Sequence, residues 1–321
     1  MREYQTSMAM NYKDYIKNVL KDTARIIDSH THVGFSISKH VKGMGGYCQS
    51  LEELRMKMSL NDVDLSMIFP FPELEGNSLS NIRQNNGIVF KSEEFDYQLA
   101  NLNMVNELIN KQYTMFIPFM IINPKNNINS ILKFYKDYEY YLFGFKIHTK
   151  SNDVSPEDIK DPQFLDFCKT QRLPIIFHTR ACENKYSYKS VLRFAEQNPT
   201  INVCVAHAAG FDKHFFEQIK NHNNVYFDVS PLLYLCKYAS IGNEKIISKE
   251  PIDINYENPA EVLLKLYSLA PRRILWATDE PCGLNNSSTY KLQVDLLKQM
   301  NFSDILQVKQ NTIDFLFYEE I

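Results

Sequence analysis

The sequence predicts an α/β protein whose parallel strands close into one large barrel. Short apolar runs rich in β-branched and aromatic residues alternate with amphipathic helical patterns, as in a chain built from repeated strand–helix units. Eight such runs can be distinguished, and a histidine or an aspartate stands at the end of several of them. The length of 321 residues also suits an α/β barrel that folds as a single domain.

The predicted strands are separated by helical patterns in most intervals. The strands cover residues 25–33, 65–71, 114–122, 144–148, 173–178, 201–207, 224–230 and 273–279. The predicted helices cover residues 50–61, 95–111, 128–140, 162–172, 189–197, 212–221, 259–270, 288–300 and 304–317, and a Ser-Leu-Glu-Glu capping box opens the first. We therefore assign residues 25–321 to one barrel domain and residues 1–24 to an N-terminal helical extension.

Two long segments lack a regular pattern and follow strand ends. Residues 72–94 contain Gly76, Gly87 and several Asn and Ser residues, and residues 232–256 are irregular. In a parallel barrel, the loops that follow the strands lie on the face that carries the active site. We predict that the first segment is a lid and that the second also covers the substrate, so that these loops select the substrate.

Composition argues against several classes of function. The formal charge of −3 gives no electrostatic basis for binding nucleic acid or an anionic membrane. The six cysteines are scattered, which favours a reducing compartment. No stretch has the pattern of a signal peptide or the length of a membrane span. We expect a cytoplasmic protein that binds a small molecule in a pocket.

Histidine and aspartate residues at the strand ends form the candidate site. His30 and His32 are separated by one residue in a strand, so their side chains project from the same face. His178, His207 and Asp279 each stand at the C-terminal end of another predicted strand. Because the C-terminal ends of all strands meet on one face of a parallel barrel, we expect these five side chains to converge.

Such a set of donors is suited to a catalytic metal ion. The two imidazoles, a third histidine and Asp279 would hold a zinc-type ion and leave one coordination position for water. The ion lowers the pKa of that water, and a carboxylate at the edge of the site can take its proton and pass it to a leaving group. Asp279 suits this second role, since the small Ala277 lies beneath it on the same strand face.

Lys146, His148 and Arg180 complete the candidate site. Lys146 and His148 share the inward face of the fourth strand, and Arg180 follows the strand-end His178 by two residues. The lysine is either an ammonium that binds an anionic or carbonyl group, or a carbamate that bridges two metal ions. The planar guanidinium of Arg180 matches a substrate carboxylate. Glu280 directly follows the strand and is expected to face away from the site.

Each residue also has a simpler interpretation. A histidine at a strand end can be a hydrogen-bonded structural residue, and an aspartate after a strand can cap the next helix. Lys146 can belong to a buried ion pair and Arg180 can pair with an acidic loop residue, while His40, His214 and His222 are expected on the surface. All of these interpretations would have to hold at once, and the coincidence of five placements argues against that.

The motifs resemble those of the amidohydrolase superfamily, and in particular its amidohydrolase-related branch, which includes aminocarboxymuconate semialdehyde decarboxylase. The similar segments are Asp28-Ser-His-Thr-His32, Gly144-Phe-Lys-Ile-His148, Ile176-Phe-His-Thr179, Val205-Ala-His-Ala-Ala-Gly210 and Arg273-Ile-Leu-Trp-Ala-Thr-Asp-Glu-Pro281. The resemblance extends from about Ile26 to Phe317 and departs from the family pattern at Ala208-Ala209 and at Ala277-Thr278.

The resemblance implies a distorted (β/α)8 TIM barrel with one or two divalent cations, usually zinc and in some members manganese. On this basis His30, His32, His178 and Asp279 are metal ligands, and His207 binds a second metal or positions the water or substrate. The Lys-x-His form of the fourth strand favours a single ion. Barrels of this family often form dimers, which leaves a homodimer as an option for this chain.

The function expected from the sequence is a metal-dependent hydrolase, in which metal-activated water attacks a carbonyl-type carbon of an amide, lactone or cyclic imide. The first alternative is a lyase, namely a metal-dependent non-oxidative decarboxylase of an aromatic or unsaturated carboxylic acid, with Arg180 or Lys146 holding the carboxylate. A second alternative is a barrel that has become a metal-containing binding or regulatory module. The donor set accepts several first-row ions, so the sequence leaves the metal open.

Overall fold

One curled sheet organises the part of the chain that the structure describes. The computed structural model describes residues 12–36, 47–72, 94–181, 183–282 and 289–317. The strands are β1 (Ile27–Phe35), β2 (Cys48–Gln49), β3 (Leu65–Pro70), β4 (Phe116–Ile122), β5 (Gly144–His148), β6 (Ile175–His178), β7 (Val203–Val205), β8 (Val225–Asp228) and β9 (Ile274–Leu275). They are hydrogen-bonded in the order β2-β1-β3-β4-β5-β6-β7-β8-β9. The short β2 pairs antiparallel with β1, and the other neighbouring pairs are parallel.

Helices occupy the intervals between the parallel strands. They are α1 (Tyr12–Asp22), α2 (Leu51–Asn61), α3 (Gln98–Lys111), α4 (Ile128–Asp137), α5 (Thr149–Asn152), α6 (Pro162–Gln171), α7 (Tyr188–Gln197), α8 (Lys213–Gln218), α9 (Leu232–Ser240), α10 (Pro259–Leu269), α11 (Thr289–Leu297) and α12 (Phe302–Phe317). Ser50 and Glu53 form the expected capping box at the start of α2. The alternation of strand and helix confirms the α/β class.

The sheet curls until its last segment reaches its first strand. After β9 the chain runs beside β1, and three backbone hydrogen bonds join the two segments. They run from Ser29 N to Trp276 O (2.9 Å), from Asp279 N to His30 O (2.8 Å) and from His32 N to Glu280 O (2.7 Å). This arrangement brings Asp279 next to the two histidines of β1.

The strands are buried on both faces, as expected where helices cover a parallel sheet. Every residue of β3 and of β4 is buried. Polar side chains on the helices also form hydrogen bonds to backbone groups of the sheet. The side chain of Asn101 on α3, for example, donates to Ile121 O (2.8 Å) and accepts from Ile121 N (2.9 Å). These two hydrogen bonds satisfy the buried backbone N–H and C=O of Ile121.

All eight predicted strands correspond to parallel strands of the sheet. The prediction of an irregular segment at residues 232–256 is wrong for its first part, because Leu232–Ser240 form α9. Leu232, Leu235 and Cys236 are buried at helical spacing on this helix. Residues 73–93, which carry most of the predicted lid, lie outside the described residues.

The predicted N-terminal extension is described only from residue 12 onward, where α1 begins. Ile16 and Leu20 of α1 are fully buried, and the Tyr12 hydroxyl donates to Phe116 O (2.6 Å) at the start of β4. The division into an extension and a barrel domain stays a prediction. None of the described helices is both long enough and apolar enough to cross a membrane.

Candidate metal centre

Two histidines and an aspartate meet at the C-terminal ends of the strands. His30 Nε2 and His32 Nε2 each lie 3.3 Å from Asp279 Oδ1. One donor atom from each of these three buried residues lies within 4.8 Å of the others. The predicted convergence of these three side chains is therefore present in the fold.

Asp28 secures the turn that places Asp279. Its carboxylate accepts hydrogen bonds from the backbone N–H of Thr278 (3.0 Å) and from the Thr278 hydroxyl (2.6 Å). Asp279 itself has a left-handed backbone conformation, with φ at 58°. An aspartate tolerates this conformation better than most side chains. The first residue of the Asp-x-His-x-His motif thus fixes the turn that carries Asp279, the third residue of the candidate metal group.

The hydrogen bonds of His32 leave one of its nitrogens free to bind a cation. Its Nδ1 lies 3.2 Å from Pro70 O, and a carbonyl oxygen can only accept, so Nδ1 carries the proton. Burial lowers the pKa of His32 to about 4, which keeps the ring neutral and Nε2 without a proton. The bare Nε2 then faces the carboxylate of Asp279.

The Asp279 carboxylate presents its own electron pairs to the bare Nε2 of His32. A bare imidazole nitrogen and a carboxylate oxygen repel each other at 3.3 Å unless a cation lies between them. The donor chemistry of His30, His32 and Asp279 therefore fits a divalent ion.

His30 is oriented by a residue that the sequence analysis did not select. Its Nδ1 lies 2.9 Å from Asp228 Oδ2, where β8 ends. Burial and Lys146 act to lower the pKa of His30, but the Asp228 and Asp279 carboxylates outweigh them, so the pKa is raised. Asp228 lies two residues before the end of the predicted strand 224–230, so the strand-end rule did not select it, although the observed β8 ends at this residue.

His178 and His207 form a hydrogen-bonded pair beside this group. His207 Nδ1 lies 2.8 Å from Ser230 O and therefore donates to it. Burial lowers the pKa of both histidines, so both are neutral, and His207 Nε2 accepts from His178 Nδ1 (2.8 Å). His178 Nε2 is then a buried bare nitrogen without a hydrogen-bond partner among the described residues. His178 does not belong to the group that lies within 4.8 Å.

Lys146 approaches the same group from β5. Its Nζ lies 3.1 Å from His30 Nε2 and 4.5 Å from the centre of the Phe69 ring. Burial lowers the pKa of Lys146 to about 8, against the attraction of Asp228 and Asp279. The lysine therefore lies inside the candidate site, as its position on the inward face of the fourth strand predicts.

His148 presents its other nitrogen to the cavity in a fixed tautomer. Its Nδ1 accepts from the backbone N–H of Ser151 (3.1 Å), so the proton of the neutral ring is on Nε2. Burial, followed by the charge of Lys146, lowers the pKa of His148 well below 6.5. The ring stacks on His178 with centroids 3.9 Å apart. His148 is thus a neutral hydrogen-bond donor on the cavity wall.

Arg180 lies at the edge of a cavity that opens onto these residues. The cavity has a volume of about 280 Å³, and Tyr47, Phe71 and Tyr234 contribute aromatic walls. The Arg180 side chain is 37% exposed, and its Nη1 is 3.9 Å from Glu183 Oε1. At this distance the ion pair with Glu183 is weak, so the guanidinium of Arg180 can still bind an anion.

Glu280 faces away from the centre, as the alternation along the strand predicts. Its carboxylate forms an ion pair with Lys57 on α2. Of the three histidines expected on the surface, His214 is exposed and pairs with Glu217 and Glu250. His40 lies outside the described residues.

Comparisons with known proteins support the fold. No family model matches the chain, and no curated protein matches it significantly. The 5-carboxyvanillate decarboxylase from Sphingomonas paucimobilis is similar in structure, with a TM-score of 0.58 and 12% identity over 92% of this chain and 99% of that chain. A dihydroxybenzoic acid decarboxylase from a Polaromonas species, solved with manganese and the inhibitor 2-nitroresorcinol, has a TM-score of 0.56 and 11% identity over 93% and 98% of the two chains.

A probable 2-pyrone-4,6-dicarboxylic acid hydrolase from Acinetobacter baumannii is also similar, with a TM-score of 0.54 and 11% identity over 92% of this chain and 97% of that chain. At such identities the likeness shows the fold. The α/β fold predicted from the sequence is therefore one that solved decarboxylases and a probable hydrolase also have.

Proposed function

We propose that the chain is a (β/α)8-barrel enzyme of the amidohydrolase superfamily, and that it removes carbon dioxide from an aromatic or unsaturated carboxylic acid with one divalent metal ion. This reverses the order of the two activities expected from the sequence. The reason is that several of the similar structures are described as decarboxylases, and that the cavity combines aromatic walls with a guanidinium.

The position of Arg180 carries this proposal. A cation at the edge of a cavity with aromatic walls favours a flat acid over a neutral amide or lactone, because the guanidinium binds a carboxylate through two parallel hydrogen bonds. The cavity of about 280 Å³ is at the small end of ligand pockets. This size suits a substituted single ring better than a peptide or a polymer.

His30, His32 and Asp279 would hold the ion, and His178 is proposed as the fourth ligand although its donor lies outside the 4.8 Å group in this structure. The bound metal would supply Lewis-acid polarisation of a substrate oxygen. A single ion is favoured because both nitrogens of His207 already have hydrogen-bond partners, which leaves it no free electron pair for a second metal. Zinc and manganese both suit this donor set.

The remaining residues bind the substrate and move a proton. Arg180 holds the carboxylate at the cavity edge, and the Nε2–H of His148 donates to a second substrate oxygen. When the carbon–carbon bond breaks, its electron pair stays on the ring carbon, carbon dioxide leaves, and that carbon takes up a proton. Asp279 lines the cavity and is the group that carries protons to and from this position.

The experiment that tests the proposal compares two substrates that differ only in the acid group. Protein loaded with Zn²⁺ or Mn²⁺ is incubated with hydroxylated benzoic acids and, separately, with their methyl esters. We expect carbon dioxide and the corresponding phenol from the acids and no reaction with the esters. Hydrolysis of the esters, with the acids left intact, would contradict decarboxylation.

Replacing Arg180 by Gln is expected to raise KM for the acid by about 10- to 100-fold, which corresponds to the loss of a charged hydrogen-bonding partner. The matched control is Glu183→Gln, which removes the ion-pair partner but leaves the guanidinium. We expect KM within a few-fold of the original in that control. Equal effects of the two substitutions on KM would mean that Arg180 has only a structural role.

Hydrolysis remains the second candidate, and one observation favours it. Asp279 is a buried carboxylate at the edge of the metal group, as a base that deprotonates metal-bound water would be. One of the similar structures is described as a probable hydrolase of a cyclic pyrone. Lactones therefore belong in the same assay, and a protein that binds the metal tightly but converts none of these compounds would point to a binding or regulatory module.

A further inference from the structure

Asp228 is a buried carboxylate that contacts residues of β1, of β7 and of the segments that follow β7 and β8. It lies at the end of β8 and has no exposed surface. A fully buried anion of this kind is costly and persists only when it is well paired.

The two oxygens of Asp228 have separate partners. Oδ2 accepts from His30 Nδ1 (2.9 Å) and is approached by Cys204 Sγ (3.8 Å). Oδ1 accepts from the Ser230 hydroxyl (2.6 Å), from Ser230 N (3.0 Å) and from His207 N (3.1 Å). Two of these three donors are backbone N–H groups, which cannot become acceptors. The donors around Oδ1 therefore fix the orientation of the whole carboxylate.

We propose that Asp228 is the positioning residue that holds the Nδ1 proton of His30, so that Nε2 is the nitrogen presented to the metal ion. It acts directly on His30, whose Nδ1 proton it holds. It acts indirectly on His207 and His178, because it anchors the Ser230 turn whose carbonyl accepts the His207 Nδ1 proton. This inference rests on the proposed metal centre.

The indirect route passes through consecutive hydrogen bonds. Ser230 O accepts from His207 Nδ1 (2.8 Å), and His207 Nε2 accepts from His178 Nδ1 (2.8 Å). Each bond determines which nitrogen of the next ring carries the proton. The series ends at His178 Nε2, the bare nitrogen without a partner among the described residues. One carboxylate is thus connected, directly or through this series, to the proton positions of both His30 and His178.

The substitution Asp228→Asn tests the proposal because its amide has only one acceptor. The backbone N–H groups of Ser230 and His207 require that acceptor, so the amide NH2 must face His30 Nδ1. His30 would then accept at Nδ1 and carry its proton on Nε2, where the metal has to bind. We expect the affinity for Zn²⁺, measured by chelator competition without substrate, to fall by about 10- to 100-fold.

The position of the proton is a readout that a purely structural role would not change. Long-range ¹H–¹⁵N spectra of the metal-free protein should show His30 protonated at Nδ1, and those of Asp228→Asn should show a neutral His30 protonated at Nε2. The control Cys204→Ala removes the other neighbour of Oδ2 and is expected to leave Zn²⁺ affinity within a few-fold.

Wild-type Zn²⁺ affinity in Asp228→Asn, or a neutral His30 protonated only at Nε2 in the original protein, would overturn the proposal. The second measurement needs no variant, so it remains decisive if Asp228→Asn fails to fold. Neither measurement uses a substrate. A protein that binds Zn²⁺ in this way but converts no acid would therefore contradict the proposed function and leave the role of Asp228 intact.

Discussion

Replacing Asp279 by Asn is expected to abolish metal binding and to lower turnover by at least ~1000-fold. Asp279 Oδ1 lies 3.3 Å from the Nε2 atoms of both His30 and His32, so it is the anionic donor of the group. Asparagine has nearly the same shape but no charge, and its amide cannot balance a divalent ion or carry a proton. The measurements are the metal content per chain by elemental analysis and the rate with the acid substrate.

The neighbouring carboxylate provides the matched control for this substitution. Glu280 follows directly in sequence, but its side chain pairs with Lys57 on α2 and faces away from the metal group. Glu280→Gln should therefore keep about one ion per chain, the stoichiometry expected of a mononuclear site. An Asp279→Asn protein that retained the original metal content and rate would remove the basis for the candidate centre.

Replacing Gly144 by Ala is expected to lower the free energy of unfolding by ~3 kcal/mol or more. A Cβ at this position would lie 2.4 Å from Pro174 O and 2.6 Å from Phe119 Cε1. The first neighbour is backbone of the chain leading into β6, and the second is a fully buried ring, so neither moves at low cost. The measurement is urea denaturation followed by circular dichroism.

A second glycine separates steric overlap from backbone strain. Gly34 has a positive φ of 94°, and an added Cβ there would meet no atom within 4 Å. Gly34→Ala should therefore cost only about 1–2 kcal/mol, the penalty of a left-handed conformation for a residue with a Cβ. If both variants lost the same free energy of unfolding, the Gly144 effect could not be assigned to its close packing against Pro174 and Phe119.

Gly144, at the start of β5, also affects the candidate site at the end of that strand. Lys146 and His148 follow it in the same strand, and the register pairs His148 with His178 of β6. A shift at Gly144 would displace both side chains relative to the candidate ligand His178. We therefore expect any Gly144→Ala protein that folds to bind Zn²⁺ more weakly than the original chain.

Most of the secondary structure could be predicted from the sequence because its causes are local. Apolar runs of five to nine residues and capping residues such as Ser50 act within one strand or one helical turn. The prediction missed α9 because the cause of this helix is not local. Leu232, Leu235 and Cys236 form a helix because they are buried against the rest of the protein, which the pattern of a short segment does not reveal.

The composition of the candidate site could also be predicted in large part. Alternation along a strand places His30 beside His32, and the strand-end rule selected His178, His207 and Asp279. Asp228 was missed because the apolar pattern predicts a strand that continues to residue 230, whereas the observed β8 ends at Asp228. Its role becomes visible only through its contacts.

Local pattern was enough to select the candidate ligands and to place them at one end of the sheet, since both follow from periodicity over a few neighbouring positions. Which nitrogen of each imidazole carries a proton depends instead on contacts between distant parts of the chain. His30 Nδ1 lies within hydrogen-bond distance of Asp228, a residue 198 positions away in the chain. A hydrogen bond between such distant residues depends on the whole fold, and it is this bond that makes an ordinary histidine a candidate metal ligand.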